Sequence, residues 1–144
     1  MENRYLCKGR PVGTRKKWVI GFYAVLGEKT VIIEKEPEKY HDIEAGKSSC
    51  GNKIVEVMPE TVCQCTGLKD KNGKLIWEND VVSYWDTYST ENGQAEADCI
   101  GKVVWDDETI SFQVTNRLSA ESWEVLDECS VIGNIFDNPE LLEV

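Results

Sequence analysis

Apolar and polar positions along this chain follow a period of two or form short apolar runs, and helical periodicity is almost absent, so strands are expected throughout. Lys17-Trp18-Val19-Ile20-Gly21-Phe22-Tyr23-Ala24-Val25-Leu26 is β-branched and aromatic, which predicts a strand buried on both faces. Gly27-Glu28 reads as a turn into a second strand, Thr30 to Glu34. Residues 35–53 are charged, then small and polar, and read as an exposed insertion. Ile54-Val55-Glu56-Val57 is a short strand ended by Pro59, and Val62 to Thr66 is another. Asn72-Gly73 predicts a two-residue hairpin turn before Leu75-Ile76-Trp77. Glu78-Asn79-Asp80 predicts a tight corner with Asn79 left-handed, leading into Val81 to Trp85. Thr87 to Asp98 is polar and predicts a loop. Cys99–Trp105 and Thr109–Thr115 are strands, with Ile110, Phe112 and Val114 alternating as a core face. Ser122 to Val125 is ambiguous, and Ser130 to Phe136 is the last strand. Asn138-Pro139 opens a helical turn, with Asn138 as its cap. Strands at this spacing indicate antiparallel all-β architecture, with residues 62–136 as a small closed or half-closed barrel.

The chain has 144 residues, which predicts one domain or two small ones. No apolar run approaches the roughly 18 residues of a membrane span. Met1-Glu2-Asn3-Arg4 has no apolar run behind it, so no signal peptide is expected and the cytoplasm is the expected compartment. Six cysteines are then expected to behave as small buried apolar groups. The net charge of −10 is uneven: residues 1–66 carry 11 basic and 9 acidic side chains, residues 67–144 carry 5 and 17. Arg4, Lys8, Arg10, Arg15, Lys16 and Lys17 crowd the first 17 residues against Glu2 alone. Such an arm suits phosphate, the acidic half of a neighbouring subunit, or simply a solvated loop.

Catalytic chemistry finds little support. A nucleophile needs a base beside it, and the only histidine, His41, sits in the polar insertion next to Asp42. Gly9-Arg10-Pro11-Val12-Gly13-Thr14 lacks the spacing and the lysine of a phosphate-binding loop. Cys63-Gln64-Cys65 is the only close cysteine pair, and the second pair that a structural zinc site requires is missing. Asp70, Asn72 and Gly73 resemble part of a calcium loop, but the later ligands are absent and the hairpin turn accounts for them. Trp18, Trp77, Trp85, Trp105 and Trp123 lie in or beside strands, where a core or subunit interface claims them.

Two long segments carry a resemblance. Val62-Cys63-Gln64-Cys65-Thr66-Gly67-Leu68-Lys69-Asp70-Lys71-Asn72-Gly73-Lys74-Leu75-Ile76-Trp77-Glu78-Asn79-Asp80-Val81-Val82 resembles the signature of the YopX family of phage and prophage proteins. Val131-Ile132-Gly133-Asn134-Ile135-Phe136-Asp137-Asn138-Pro139-Glu140-Leu141-Leu142 is similar to its C-terminal signature. Arg4-Tyr5-Leu6 and Trp18 to Tyr23 are similar to the opening of many members, so the resemblance leaves only residues 35–53 and 87–98 unassigned. Asn79 departs from the glycine usual there, and keeps the left-handed corner accessible. The resemblance implies a small β-rich phage protein with an SH3-like barrel in its C-terminal part and no catalytic residues to carry over.

The expectation is an all-β protein. An N-terminal β-region, residues 1–58, packs on an SH3-like barrel within residues 62–144 that ends in a short helical turn. The expected function is a non-enzymatic interaction module of a phage or prophage, acting in the bacterial cytoplasm. It self-associates or binds a phage or host protein, with Trp18 and Tyr23 at the interface. The alternative is a nucleic-acid-binding accessory protein using Lys8, Arg10, Arg15, Lys16 and Lys17. A metal-assisted enzyme with an acidic pocket is the third class. No catalytic residue, cofactor, metal site or membrane association is expected.

Overall fold

Among the described residues of the computed structural model thirteen strands run in chain order: β1 (Cys7–Gly9), β2 (Val19–Leu26), β3 (Lys29–Glu34), β4 (Glu38–Asp42), β5 (Lys47–Gly51), β6 (Ile54–Glu56), β7 (Cys63–Lys69), β8 (Leu75–Trp77), β9 (Asp80–Thr90), β10 (Gly93–Asp106), β11 (Ser111–Thr115), β12 (Ala120–Glu121) and β13 (Ser130–Asn134). The structure describes every residue except 1, 14–16, 36–37, 43–46, 52, 117–119, 122–125, 127 and 143–144. Of residues 2, 38–42, 47–51, 86–90, 120 and 121 it describes the backbone alone. The strands whose register is defined pair antiparallel, and the elements between them include short 3-10 turns at Glu2–Tyr5, Pro59–Thr61 and Pro139–Leu142. The chain is all-β, as its patterning predicts.

Two compact units divide the chain: Tyr5–Gln64, and Cys65–Val144 with Met1–Arg4. The division falls inside β7. Its Cys63 and Gln64 pair with Lys8 and Cys7 of β1, while Cys65 and Lys69 pair with Trp77 and Leu75 of β8. In the first unit β6, β3, β2 and β1 lie side by side, and Val19, Ile32 and Val57 form a core with Cys7, Val55 and Val62. The insertion at 35–53 contains the β4–β5 hairpin, in register from Glu38↔Gly51 to Asp42↔Lys47.

In the second unit the order is β12-β11-β10-β9-β13. One face of this sheet carries the core: Val82, Tyr84, Val103 and Val114, closed over by Ile76, Leu126 and Cys129. The sheet is open, because its outer strands β12 and β13 are not paired with each other among the described residues. The barrel expected over residues 62–136, closed or half-closed, is therefore not closed by these strands. The polar segment 87–98 is not a loop either. It belongs to the long β9–β10 ribbon, paired from Lys102↔Val81 out to Gly93↔Thr90, with Glu91 and Asn92 as the connection. A ribbon is held by its main-chain ladder, so it forms without the apolar alternation that marks a half-buried strand.

Several turns match their sequence chemistry. Gly27 and Asn79 are left-handed, with φ of 65° and 70°. The Asn72-Gly73 turn is longer than expected. Asp70 accepts the Gly73 N–H on its carbonyl, Gly73 follows in the left-handed region with φ 82°, and the Asp70 N–H is donated to the Lys74 carbonyl. That is a three-residue loop with a left-handed glycine, the next commonest hairpin connection after the two-residue one. Ile110 departs most from expectation. It sits in the turn after β10 with φ 53° and is 74 % exposed, so it is not part of the core face that Val114 joins. Asn138 precedes the Pro139–Leu142 turn, but its Oδ1 accepts the N–H of Asn134 behind it. A Cβ at Gly133 would collide with that Asn138 side chain.

Candidate functional site

Facing residues of antiparallel strands present their side chains on the same face, and successive residues alternate. Val19↔Gly9 and Ile32↔Val55 place the core on one face of the N-terminal sheet. The other face follows from Ile20↔Lys8, Phe22↔Ile33 and Ile33↔Ile54. On it Ile20, Phe22 and Ile54 are exposed, at 42 %, 45 % and 55 %, around a half-buried Ile33. Leu26, at the far end of β2, is exposed as well, while Val31 between them is buried. The expectation that β2 is buried on both faces is therefore overturned: on the core face Val19 is buried but Tyr23 and Val25 are exposed, and on the other face Ile20, Phe22 and Leu26 are exposed. Gly21 is needed within this strand, because a Cβ there would run into the Ile33 carbonyl.

A cationic cluster closes one end of the same face. Lys8 stands opposite Ile20, and Arg10 follows two residues later. Their charged ends lie over the Trp18 ring, Lys8 Nζ and Arg10 Cζ each 4.7 Å from its centroid. Both side chains are only 8 % exposed. The backbone of Arg10 is fixed: its N–H is donated to Thr61 Oγ1 at 2.9 Å, and its carbonyl accepts the Met58 N–H at 2.9 Å. Cation–π contact is worth up to about 2 kcal/mol where water is displaced. Lys35, exposed, adjoins the patch through its N–H to the Ile20 carbonyl. Lys29 and Glu56 pair at 3.9 Å on its margin, a contact open to solvent and so worth only about 0–1 kcal/mol.

The residues singled out from sequence are thus divided. Lys8, Arg10 and Trp18 come together, but buried against one another. Lys17 is exposed, and Arg15 and Lys16 lie outside the described residues. Single-strand nucleic-acid binding requires exposed rings beside surface cations, whereas two cations cover half-buried Trp18. Tyr23 is exposed but has the opposite parity to Phe22 in β2. The sequence pattern does not single out Ile20, Phe22 and Ile54. The signal was that β2 is apolar at both parities, which reads as burial whenever a second layer is assumed.

The signature segments build turns. Asp70, 6 % exposed, accepts the N–H groups of Asn72 and Lys74 on Oδ1 and that of Val131 on Oδ2, each at 2.9 Å. Burial by itself would raise the Asp70 pKa. The N–H groups of Val131, Lys74 and Asn72, with the charge of Lys74, outweigh it and hold the carboxyl below its ordinary value. Asp80 Oδ2 accepts the Trp77 N–H at 2.8 Å across the Asn79 corner. Asn134 Oδ1 accepts the N–H groups of Phe136 and Asp137. These groups fasten backbone. Cys63 and Cys129 are buried and donate their thiols to the carbonyls of Thr61 and Leu126. Of the tryptophans expected in a core or interface, Trp77 is buried, Trp85 and Trp105 are exposed, and Trp123 lies outside the described residues. Among the described residues no three His, Cys, Asp or Glu side chains gather around a point that could hold a metal ion, and no helix is long and apolar enough to cross a membrane. His41 lies where only the backbone is described.

A family model described as YopX protein matches residues 24–143. No curated protein matches the chain.

Proposed function

The chain belongs to the YopX protein family, and on that footing we propose that it is a non-enzymatic interaction module that docks a protein partner on the outer face of its N-terminal sheet. One observation carries this reading: Ile20, Phe22 and Ile54 are exposed around half-buried Ile33 on a sheet whose opposite face holds the core residues Val19 and Ile32. Scattered exposed apolar residues need no explanation, but a contiguous set on one sheet face is the usual mark of a docking surface. Lys35 is exposed at the edge of this face and Lys29 pairs with Glu56 on its margin, while Lys8 and Arg10 are buried against Trp18, so the partner's surface is apolar with an acidic group facing Lys35. The polar residues of the signature segments are spent on turns, which supports an interaction role over a catalytic one. The resemblance of those segments supports a phage or prophage source and action in the bacterial cytoplasm.

The test compares the wild type with Phe22→Glu, both immobilised and exposed to lysate of a phage-bearing bacterial host. Phe22 is outside the core, so the variant is expected to keep the wild-type circular dichroism spectrum. At least one protein retained by the wild type should be lost on the variant. Identical retention by the two would overturn the proposal.

A further inference from the structure

We propose that the partner on this face is a second copy of the chain, bound head to tail through the outer face of the β9–β10 ribbon; this rests on the docking reading given above. The ribbon's register places Trp85 opposite Asp98 and Ser83 opposite Ile100. Trp85 and Ile100 are therefore diagonal neighbours on one face, the face turned away from the core residues Val82, Tyr84 and Val103. Trp85 is 56 % exposed and Ile100 40 %. Asp98 and Glu96, both exposed, share that face and flank the pair, with half-buried Lys102 beyond Ile100.

The two surfaces complement each other. One is an exposed apolar set, Ile20, Phe22 and Ile54, with exposed Lys35 at its edge and the Lys29–Glu56 pair on its margin. The other is an exposed apolar pair, Trp85 and Ile100, flanked by exposed Asp98 and Glu96. The asymmetry extends to the whole sequence, since residues 67–144 hold 17 acidic side chains against 5 basic. Pairing the N-terminal face with its own copy would set Lys35 and its neighbours against their equivalents, and pairing the ribbon face with itself would set Asp98 and Glu96 against theirs. Like charges placed opposite one another disfavour both symmetric arrangements. The contact is therefore heterologous, using a different patch on each subunit, and such contacts propagate into rings or filaments.

The test is the sedimentation mass of the full chain at tens of micromolar in moderate salt. The wild type is expected well above its chain mass of 16.3 kDa. Phe22→Glu and Trp85→Arg each replace an exposed side chain, and each alone should bring the mass down to one chain. Mixed in equal amounts they should form a dimer that grows no further. The first variant retains the acidic ribbon face and the second retains the sheet face, which leaves one working contact per pair. Raising the salt should weaken all of these species. A wild type that sediments at one chain mass overturns the inference. So does an oligomer that survives Trp85→Arg, and so does a mixture that remains monomeric. If the wild type is monomeric while Phe22→Glu still loses a captured protein, the docking face stands and the second copy is not its partner. If capture is unchanged as well, the docking face itself is wrong.

Discussion

Replacing Asp70 by alanine deletes the acceptor for the N–H groups of Asn72, Lys74 and Val131 in one step. The first two lie on an exposed loop and can turn to water. Val131 is half-buried against the core of the second unit, so its N–H has less access to a replacement. A hydrogen bond to a charged group contributes about 1.5–3 kcal/mol, and a buried donor left unmet costs about 1–3 kcal/mol. Discounting the two loop amides leaves the Val131 bond, a loss of about 1.5–3 kcal/mol, a sizeable share of the roughly 5–15 kcal/mol that holds a domain folded. At about 2–4 °C per kcal/mol for a chain near this size, the melting temperature should fall by roughly 3–12 °C. Asp70→Asn keeps one carbonyl oxygen for the loop but turns an amide donor toward Val131, so it should recover only part of the loss. Because the folded carboxyl titrates below the ordinary carboxylate value, the unfolded chain binds more protons as the pH falls through that value. The contribution of Asp70 is thus fully present above about pH 4–5 and disappears as the pH drops through the lowered folded pKa. Urea unfolding of the wild type, Asp70→Ala and Asp70→Asn at neutral pH and at successively lower pH reads both effects. A loss under about 1 kcal/mol in Asp70→Ala, or a stability gap that does not shrink in acid, would refute this reasoning.

Gly101→Ala should destabilise by at least about 1–3 kcal/mol in urea unfolding, because the new Cβ would stand 2.6 Å from Val114 Cγ1 and 2.9 Å from the Thr115 carbonyl. Ile110→Gly should raise the melting temperature, since a β-branched residue held at φ 53° gives up about 1 kcal/mol of backbone strain; a lower melting temperature would count against that. Trp18→Leu should lose about 1–2 kcal/mol of stability by removing the ring beneath Lys8 and Arg10, and the loss should persist in high salt because both cations are buried.

Punctuation was the legible part of this sequence. Gly27, Asn79 and the Asn138-Pro139 step each mark a corner through a local backbone preference that needs no tertiary context. The strands at 19–26, 29–34 and 75–77 were legible for a related reason, since their β-branched runs are bounded by such corners. β1 was hidden because Cys7-Lys8-Gly9 is short and carries a charge, and it is a strand only through its neighbours β2 and β7. The polar reach of β9 and β10 was hidden because ladder hydrogen bonds leave no trace in hydropathy. The same limit applies to the site. Alternation along β2 shows that both of its faces are apolar, but whether a second layer covers both depends on residues far along the chain. Lys8 and Arg10 read as a solvated arm because their burial depends on Trp18, which reaches them only when β1 and β2 pair.

The central claim is that the face bearing Ile20, Phe22 and Ile54 is covered by another protein surface when the chain works. A photo-reactive benzophenone side chain placed at position 22, irradiated in intact host cells, tests it most directly. The account predicts a protein adduct at position 22 whose crosslink maps to the Trp85–Ile100 stretch of a second copy, with little adduct from the same group at exposed Glu60. No adduct at position 22 above the level at position 60 would contradict it.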